Sequence, residues 1–76
     1  MKRIIECVPN ISEGRDSAKI QRITDEVEKV DGALLLNVDP GKATNRTVIT
    51  IGGEPEAVIE AAFRLVKKAQ EEIKGA

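Results

Sequence analysis

Between Asn37 and Val48 the chain sets Asp39, Thr44, Asn45 and Arg46 around a Pro40-Gly41 turn, with apolar runs on both sides. These residue types supply a carboxylate that can orient a base or bind an amine, a hydroxyl, an amide, and a guanidinium able to clamp a carboxylate with two parallel hydrogen bonds. Hairpin connections usually take about two to five residues, so a segment this long and polar is a candidate binding loop. The plainer reading is a turn in which Asp39 and Asn45 bond to nearby backbone and Arg46 is solvated. A second candidate is Pro9-Asn10-Ile11-Ser12-Glu13-Gly14-Arg15, a connection whose backbone N–H groups, at the start of a helix, can receive an anion. Here too a simple strand-to-helix link with Ser12, Asp16 or Ser17 as a cap accounts for the residues. Cys7 reads as a small hydrophobe in a strand, Gly52-Gly53 as a strand-to-helix turn, and Lys67-Lys68 as a solvated helix face.

The elements that must position these groups follow from hydrophobic period. Ile4-Ile5-Glu6-Cys7-Val8 is a run of strand formers closed by Pro9-Asn10. Ile20, Ile23, Val27 and Val30 recur at helical spacing, with Asp16 or Ser17 as N-cap and Asp31-Gly32 as the stop. Ala33 to Val38 forms a second strand whose three consecutive leucines predict apolar surface on both faces. Arg46 to Ile51, rich in β-branched residues, forms a third, ended by Gly52-Gly53. Glu54-Pro55-Glu56 opens a last helix with the apolar stripe Val58, Ala62, Leu65, Val66, Ala69 and Ile73, closed at Lys74-Gly75.

The resulting fold class is α+β, a ferredoxin-like (split βαβ) arrangement in the order βαββα with the final strand missing and the helices on one face of an antiparallel sheet. Without that strand, Ile4 to Val8 becomes an open sheet edge that invites another chain.

With 76 residues there is room for one small domain, spanning 1–76. Such a chain buries only about 60% of its unfolded surface, so association helps it. Apolar residues at 41% and charged residues at 33% describe a globular rather than a disordered chain. The 12 basic and 13 acidic residues nearly cancel, and Phe63 is the sole aromatic, which argues against nucleic-acid binding. No stretch has the roughly 20 apolar residues of a membrane span, nor the apolar core of a signal peptide. A lone cysteine forms no internal disulfide, and a cytoplasmic location fits. There is no histidine, so the commonest general base and the commonest metal ligand are both lacking, and no metal site is expected.

Two long motifs in register carry a resemblance. Glu6-Cys7-Val8-Pro9-Asn10-Ile11-Ser12-Glu13-Gly14 and Val38-Asp39-Pro40-Gly41-Lys42-Ala43-Thr44-Asn45-Arg46-Thr47-Val48 resemble the start of the glutamate formiminotransferase family, and the likeness continues into Gly52-Gly53-Glu54-Pro55-Glu56. The resemblance implies a folate-dependent transferase that moves a formimino (or formyl) group between N-formiminoglutamate and tetrahydrofolate during histidine breakdown. It places the ligand in an electropositive tunnel between two subdomains. By position it makes Asp39 the residue that orients a catalytic histidine, with Asn10, Glu13, Thr44, Asn45 and Arg46 at the substrate and folate site.

In that family the histidine belongs to a motif of the form H-x-G-x-H-P-R-x-G-A after the second helix, followed by a further strand and the second subdomain. Asn37 also stands where an aspartate is common. The resemblance therefore implies a partial N-terminal subdomain, not competent alone, that works with a complementary chain or as a homo-oligomer. The competing reading is a stand-alone binding or assembly module that associates through its open edge and has no enzyme activity.

Overall fold

The computed structural model describes residues 3–74. Six elements follow in order: β1 (Ile5–Cys7), β2 (Asn10–Ile11), α1 (Ser17–Glu28), β3 (Ala33–Gly41), β4 (Arg46–Gly53) and α2 (Pro55–Lys74). β1 and β2 are two pieces of one strand. Cys7 pairs with Ile51 and Asn10 with Val48, so both pieces hold the same antiparallel register on β4. The gap falls at Val8-Pro9 because proline has no N–H to return to the ladder, although its carbonyl still accepts from Ile49 N at 2.9 Å.

β4 is central, flanked by the β1/β2 strand on one side and β3 on the other, with both pairings antiparallel. The two outer strands therefore run parallel to each other with β4 inserted between them, the arrangement that defines a split βαβ unit. The described residues supply the first five elements of a ferredoxin-like α+β fold, β1/β2 counting as one strand.

Alternation along β4 decides which side chains are core. Thr47, Ile49 and Ile51 are fully buried against the helices, together with Ile23 and Val27 of α1 and Val58, Ala61 and Leu65 of α2. Each large aliphatic side chain so buried contributes roughly 1.5–3 kcal/mol. Asp16 is the N-cap of α1, its Oδ1 accepting from Ala18 and Lys19 N–H at 3.1 and 3.2 Å. α1 ends at Glu28 with Lys29 as its C-cap, before the expected stop, while Gly32 (φ +92°) turns the chain into β3. Arg22 of α1 pairs with Glu72 of α2 at 2.8 Å across the helix layer.

Three expectations are corrected. Val66 is not part of the buried stripe of α2: it is 47% exposed, and Ala61 occupies the core instead. The leucine run does not meet apolar surface on both faces, because both helices cover one face only. Leu35 packs on the core, whereas Leu34 and Leu36 are 63% and 50% exposed on the other. Leu36 is the extra residue of a bulge between Leu35 and Asn37. Finally, the polar segment after Val38 is not a long loop. β3 and β4 stay paired out to Gly41–Arg46, leaving Lys42 to Asn45 as a four-residue turn. Pro40 is tolerated because β3 is an edge strand, where a missing N–H need not break a ladder on both sides. The expected stop of α2 at Gly75 lies outside the described residues.

Candidate functional site

The uncovered face of the sheet carries the even-numbered positions of β4 and their neighbours across the strands. Asn10 and Asp39 both pair with Val48, from opposite sides. They thus occupy one transverse row of the open face, two strand spacings or roughly 10 Å apart between backbones, close enough for their side chains to reach one ligand. Both are exposed. Arg46 opens β4 two residues before Val48, so strand alternation puts it on the same face and at the same end. An amide, a carboxylate and a guanidinium, separated by 36 residues of chain, are gathered around a single valine. Among the described residues neither Asp39 nor Arg46 pairs with an opposite charge.

The other three candidate residues serve the backbone. Asn45 adopts the left-handed conformation (φ 54°) and its Oδ1 accepts from Gly14 N–H at 2.9 Å. Thr44 Oγ1 donates to the carbonyl of Gly41 at 3.4 Å. Glu13 Oε2 accepts from Arg15 and Asp16 N–H at 3.1 and 3.0 Å. Donation from Asp16 N–H, and then from Arg15 N–H, favours the ionised form and holds the Glu13 carboxyl below its ordinary value.

Three further residues, Gly14, Arg15 and Thr47, join this construction, none of them among the six candidate site residues. The buried hydroxyl of Thr47 donates to the carbonyl of Glu13, and Arg15 Nε donates to the carbonyl of Lys42 at 2.8 Å. Gly14 lies so near the hairpin that a Cβ there would sit 2.6 Å from both N and O of Arg46 and closer still to the carbonyl of Gly41. The turn from Ser12 to Arg15 and the turn from Gly41 to Arg46 are thereby clasped into one unit that borders the Asn10–Asp39 row. Thr47 offered the one available signal: a polar residue at a core-facing strand position must find a partner inside.

The remaining glycines are explained by packing. Gly52 lies beneath Leu36, whose Cδ1 would be 2.7 Å from an added Cβ, and Gly53 (φ +143°) abuts the carbonyl of Gly32. Cys7 is half-buried against the core. Among the described residues no group of three or more histidine, cysteine, aspartate or glutamate side chains could hold a metal, and no helix is long and apolar enough to cross a membrane.

The inserted central strand, the paired helices and the uncovered sheet face define an α+β domain of the ferredoxin-like class. Residues 4–74 match the formiminotransferase domain, N-terminal subdomain. The chain belongs to that family. It is 46% identical over 69 residues to the formimidoyltransferase-cyclodeaminase of Dictyostelium discoideum, covering 91% of this chain and 13% of that protein. Against the glutamate formimidoyltransferase of Streptococcus pyogenes serotype M1 the identity is 40% over 73 residues, 96% of this chain and 24% of the relative. The corresponding enzyme of Thermoplasma acidophilum is 41% identical over 68 residues, 90% of this chain and 22% of that one. The chain thus spans between about an eighth and a quarter of the length of these relatives.

Proposed function

We propose that this chain forms one wall of the ligand site of a folate-dependent transferase, which moves a formimino group from N-formiminoglutamate to tetrahydrofolate. The observation that carries the reading is the row on the open face: Asn10 and Asp39 flank Val48, with Arg46 beside them. Arg46 is suited to a substrate carboxylate, which it can engage with two parallel hydrogen bonds. Asn10 offers a donor and an acceptor to the same ligand. Asp39 is suited to accept from the ring N–H of an imidazole, fixing its tautomer and stabilising its charged form while the opposite nitrogen exchanges a proton with the reacting amine. Glu13, Thr44 and Asn45 act one step back, as positioning residues that hold the two turns together.

The imidazole must come from outside this sequence, which contains no histidine. The chain alone therefore gives no turnover, and it becomes part of an active enzyme when the rest of the polypeptide is supplied. The test mixes purified chain with the remaining segment of a longer relative and follows consumption of N-formiminoglutamate in the presence of tetrahydrofolate. Turnover is expected only in the mixture, and Asp39→Asn should lower it by about 10²-fold or more, the scale of a general-base contribution. Activity of the isolated chain, or a mixture as active with Asp39→Asn as without it, refutes the assignment.

A further inference from the structure

Strand alternation alone would not bring Asp39 to the open face. Leu35 pairs with Ile51 on the core side, so in an even ladder Leu36 would pair with Thr50, Asn37 with Ile49 and Val38 with Val48. That register turns Asn37 and Asp39 toward the helices and Val38 outward, because a shift of one residue exchanges the two faces. The bulge absorbs Leu36 as an extra residue, and Asn37 pairs with Thr50, Val38 with Ile49 and Asp39 with Val48 instead. The side chain of Leu36 settles over Gly52, where the lack of a Cβ leaves room for it. A bulge re-aims the side chains that follow it. Here it delivers Asp39 to the open face, and Asn37 with it.

Asn37 lies two positions from Asp39 on that face, roughly 7 Å away along β3. It is exposed, and among the described residues nothing bonds to its side-chain amide. Thr50, its neighbour across the ladder, is half-buried and adds a hydroxyl to the same row. Arg46 and Asn37 stand on opposite sides of Asp39, Arg46 toward the hairpin turn and Asn37 away from it. Beyond Asn37 the face becomes apolar, with Leu34, Leu36 and Val8 63%, 50% and 53% exposed. The open face thus has a cationic end, a carboxylate near its middle, and an apolar end bordered by an amide and a hydroxyl.

We infer that Asn37 is a further binding residue of this site and holds the ring of tetrahydrofolate against the apolar end of the face. The assignment rests on the transferase reading and places its second reactant. A transfer needs donor and acceptor to meet at the base. The guanidinium of Arg46 suits the carboxylates of N-formiminoglutamate, which leaves the opposite side of Asp39 for the acceptor. The ring of tetrahydrofolate carries a cyclic amide along one edge. Its carbonyl oxygen can accept from Asn37 Nδ2 while the adjacent ring N–H donates to Asn37 Oδ1, two hydrogen bonds to one side chain. That carbonyl sits beside the ring amine that receives the one-carbon group. Pairing at Asn37 therefore presents the amine toward Asp39, where an imidazole can reach it. Leu36 and Val8 offer the ring face an apolar surface, the usual lining of a small-molecule site.

Kinetics of the mixture described above test the assignment, with each substrate varied in turn. Asn37→Ala should raise KM for tetrahydrofolate about tenfold or more, the scale of one or two lost hydrogen bonds, and leave KM for N-formiminoglutamate unchanged. Arg46→Ala should do the reverse. Position 37 is exposed on an edge strand, so the variant should fold, and circular dichroism checks that it does. A nuclear magnetic resonance titration of isotope-labelled chain in the same mixture gives a second readout. Tetrahydrofolate should shift the side-chain amide of Asn37, and N-formiminoglutamate should shift Asn10 and Arg46. A folded Asn37→Ala variant whose KM for tetrahydrofolate is unchanged, or raised no more than KM for N-formiminoglutamate, overturns the inference and leaves the transferase reading standing. So does tetrahydrofolate that leaves the Asn37 amide unshifted. A mixture with no turnover overturns the transferase reading, and this assignment falls with it.

Discussion

Replacing Gly14 by alanine should destabilise the domain far more than one methyl group on a surface turn would ordinarily do. The added Cβ would sit 2.6 Å from Arg46 N and O and closer to the Gly41 carbonyl, all backbone atoms of a hairpin that cannot swing aside like a side-chain tip. Relieving that overlap costs about 1–3 kcal/mol, the usual range for overpacking a rigid site. Moving the turns apart also strains the bond from Gly14 N–H to Asn45 Oδ1 and the bond from Thr47 to the Glu13 carbonyl. Losing one such bond removes about 0.5–1.5 kcal/mol, and a group left buried without a partner costs about 1–3 kcal/mol. Together a loss of about 3 kcal/mol is expected, a large share of the stability of a domain this small.

Urea unfolding followed by circular dichroism measures it. With a slope of about 1 kcal/mol per molar, the midpoint should fall by about 3 M, or the variant should be unfolded in buffer. Asn45→Gly keeps the left-handed backbone and removes only the clasp bond, so it should cost about 1 kcal/mol. The double variant should lose less than the sum, because both changes break the same contact. A Gly14→Ala protein within about 0.5 kcal/mol of wild type, the range of an ordinary surface substitution, refutes the clasp.

Two further outcomes follow from the same geometry. Gly53→Ala should unfold or severely destabilise the chain, since φ is +143° and the Gly32 backbone occupies the space. Gly52→Ala meets only the tip of Leu36 and should cost about 1 kcal/mol or less, so paired thermal melts should rank the two unambiguously. Stability should also fall in acid. Glu13 is held below its ordinary value by the N–H groups of Asp16 and Arg15, Glu72 by Arg22, and Glu26 by Lys29. Carboxyls lowered in the folded state stabilise it above their unfolded pKa of about 4.3, and that contribution is lost as pH falls through the folded values. Melting temperature should therefore drop between about pH 5 and pH 3, less steeply in Glu13→Gln; an identical slope in that variant refutes the assignment.

Much of the fold was legible from local pattern. The helical recurrence of Ile20, Ile23 and Val27 locates α1, and Asp16 caps it as expected, because periodicity and capping depend on neighbours a few residues away. The β-branched run from Thr47 to Ile51 identifies β4 for the same reason. Strand order was reachable only through the general topology of the split βαβ arrangement. The extent of the hairpin was not, since Pro40 and the polar residues around it look like loop until β4 supplies their partners. Val66 matched the helical stripe by spacing yet lies outside, since only the tilt of α2 on the sheet sets which residues at its margin are covered.

The sequence by itself determined the element order, the family and the six candidate residues: Asn10, Glu13, Asp39, Thr44, Asn45 and Arg46. Only the tertiary structure divided them. Asn10, Asp39 and Arg46 share the open face because strand pairing brings positions distant in sequence into one row. Glu13, Thr44 and Asn45 turn toward backbone, the last reaching Gly14 across 31 positions of chain. A residue's type states which bonds it can make. Which partner arrives within 3 Å depends on how the sheet folds the chain back on itself, and no local signal carries that.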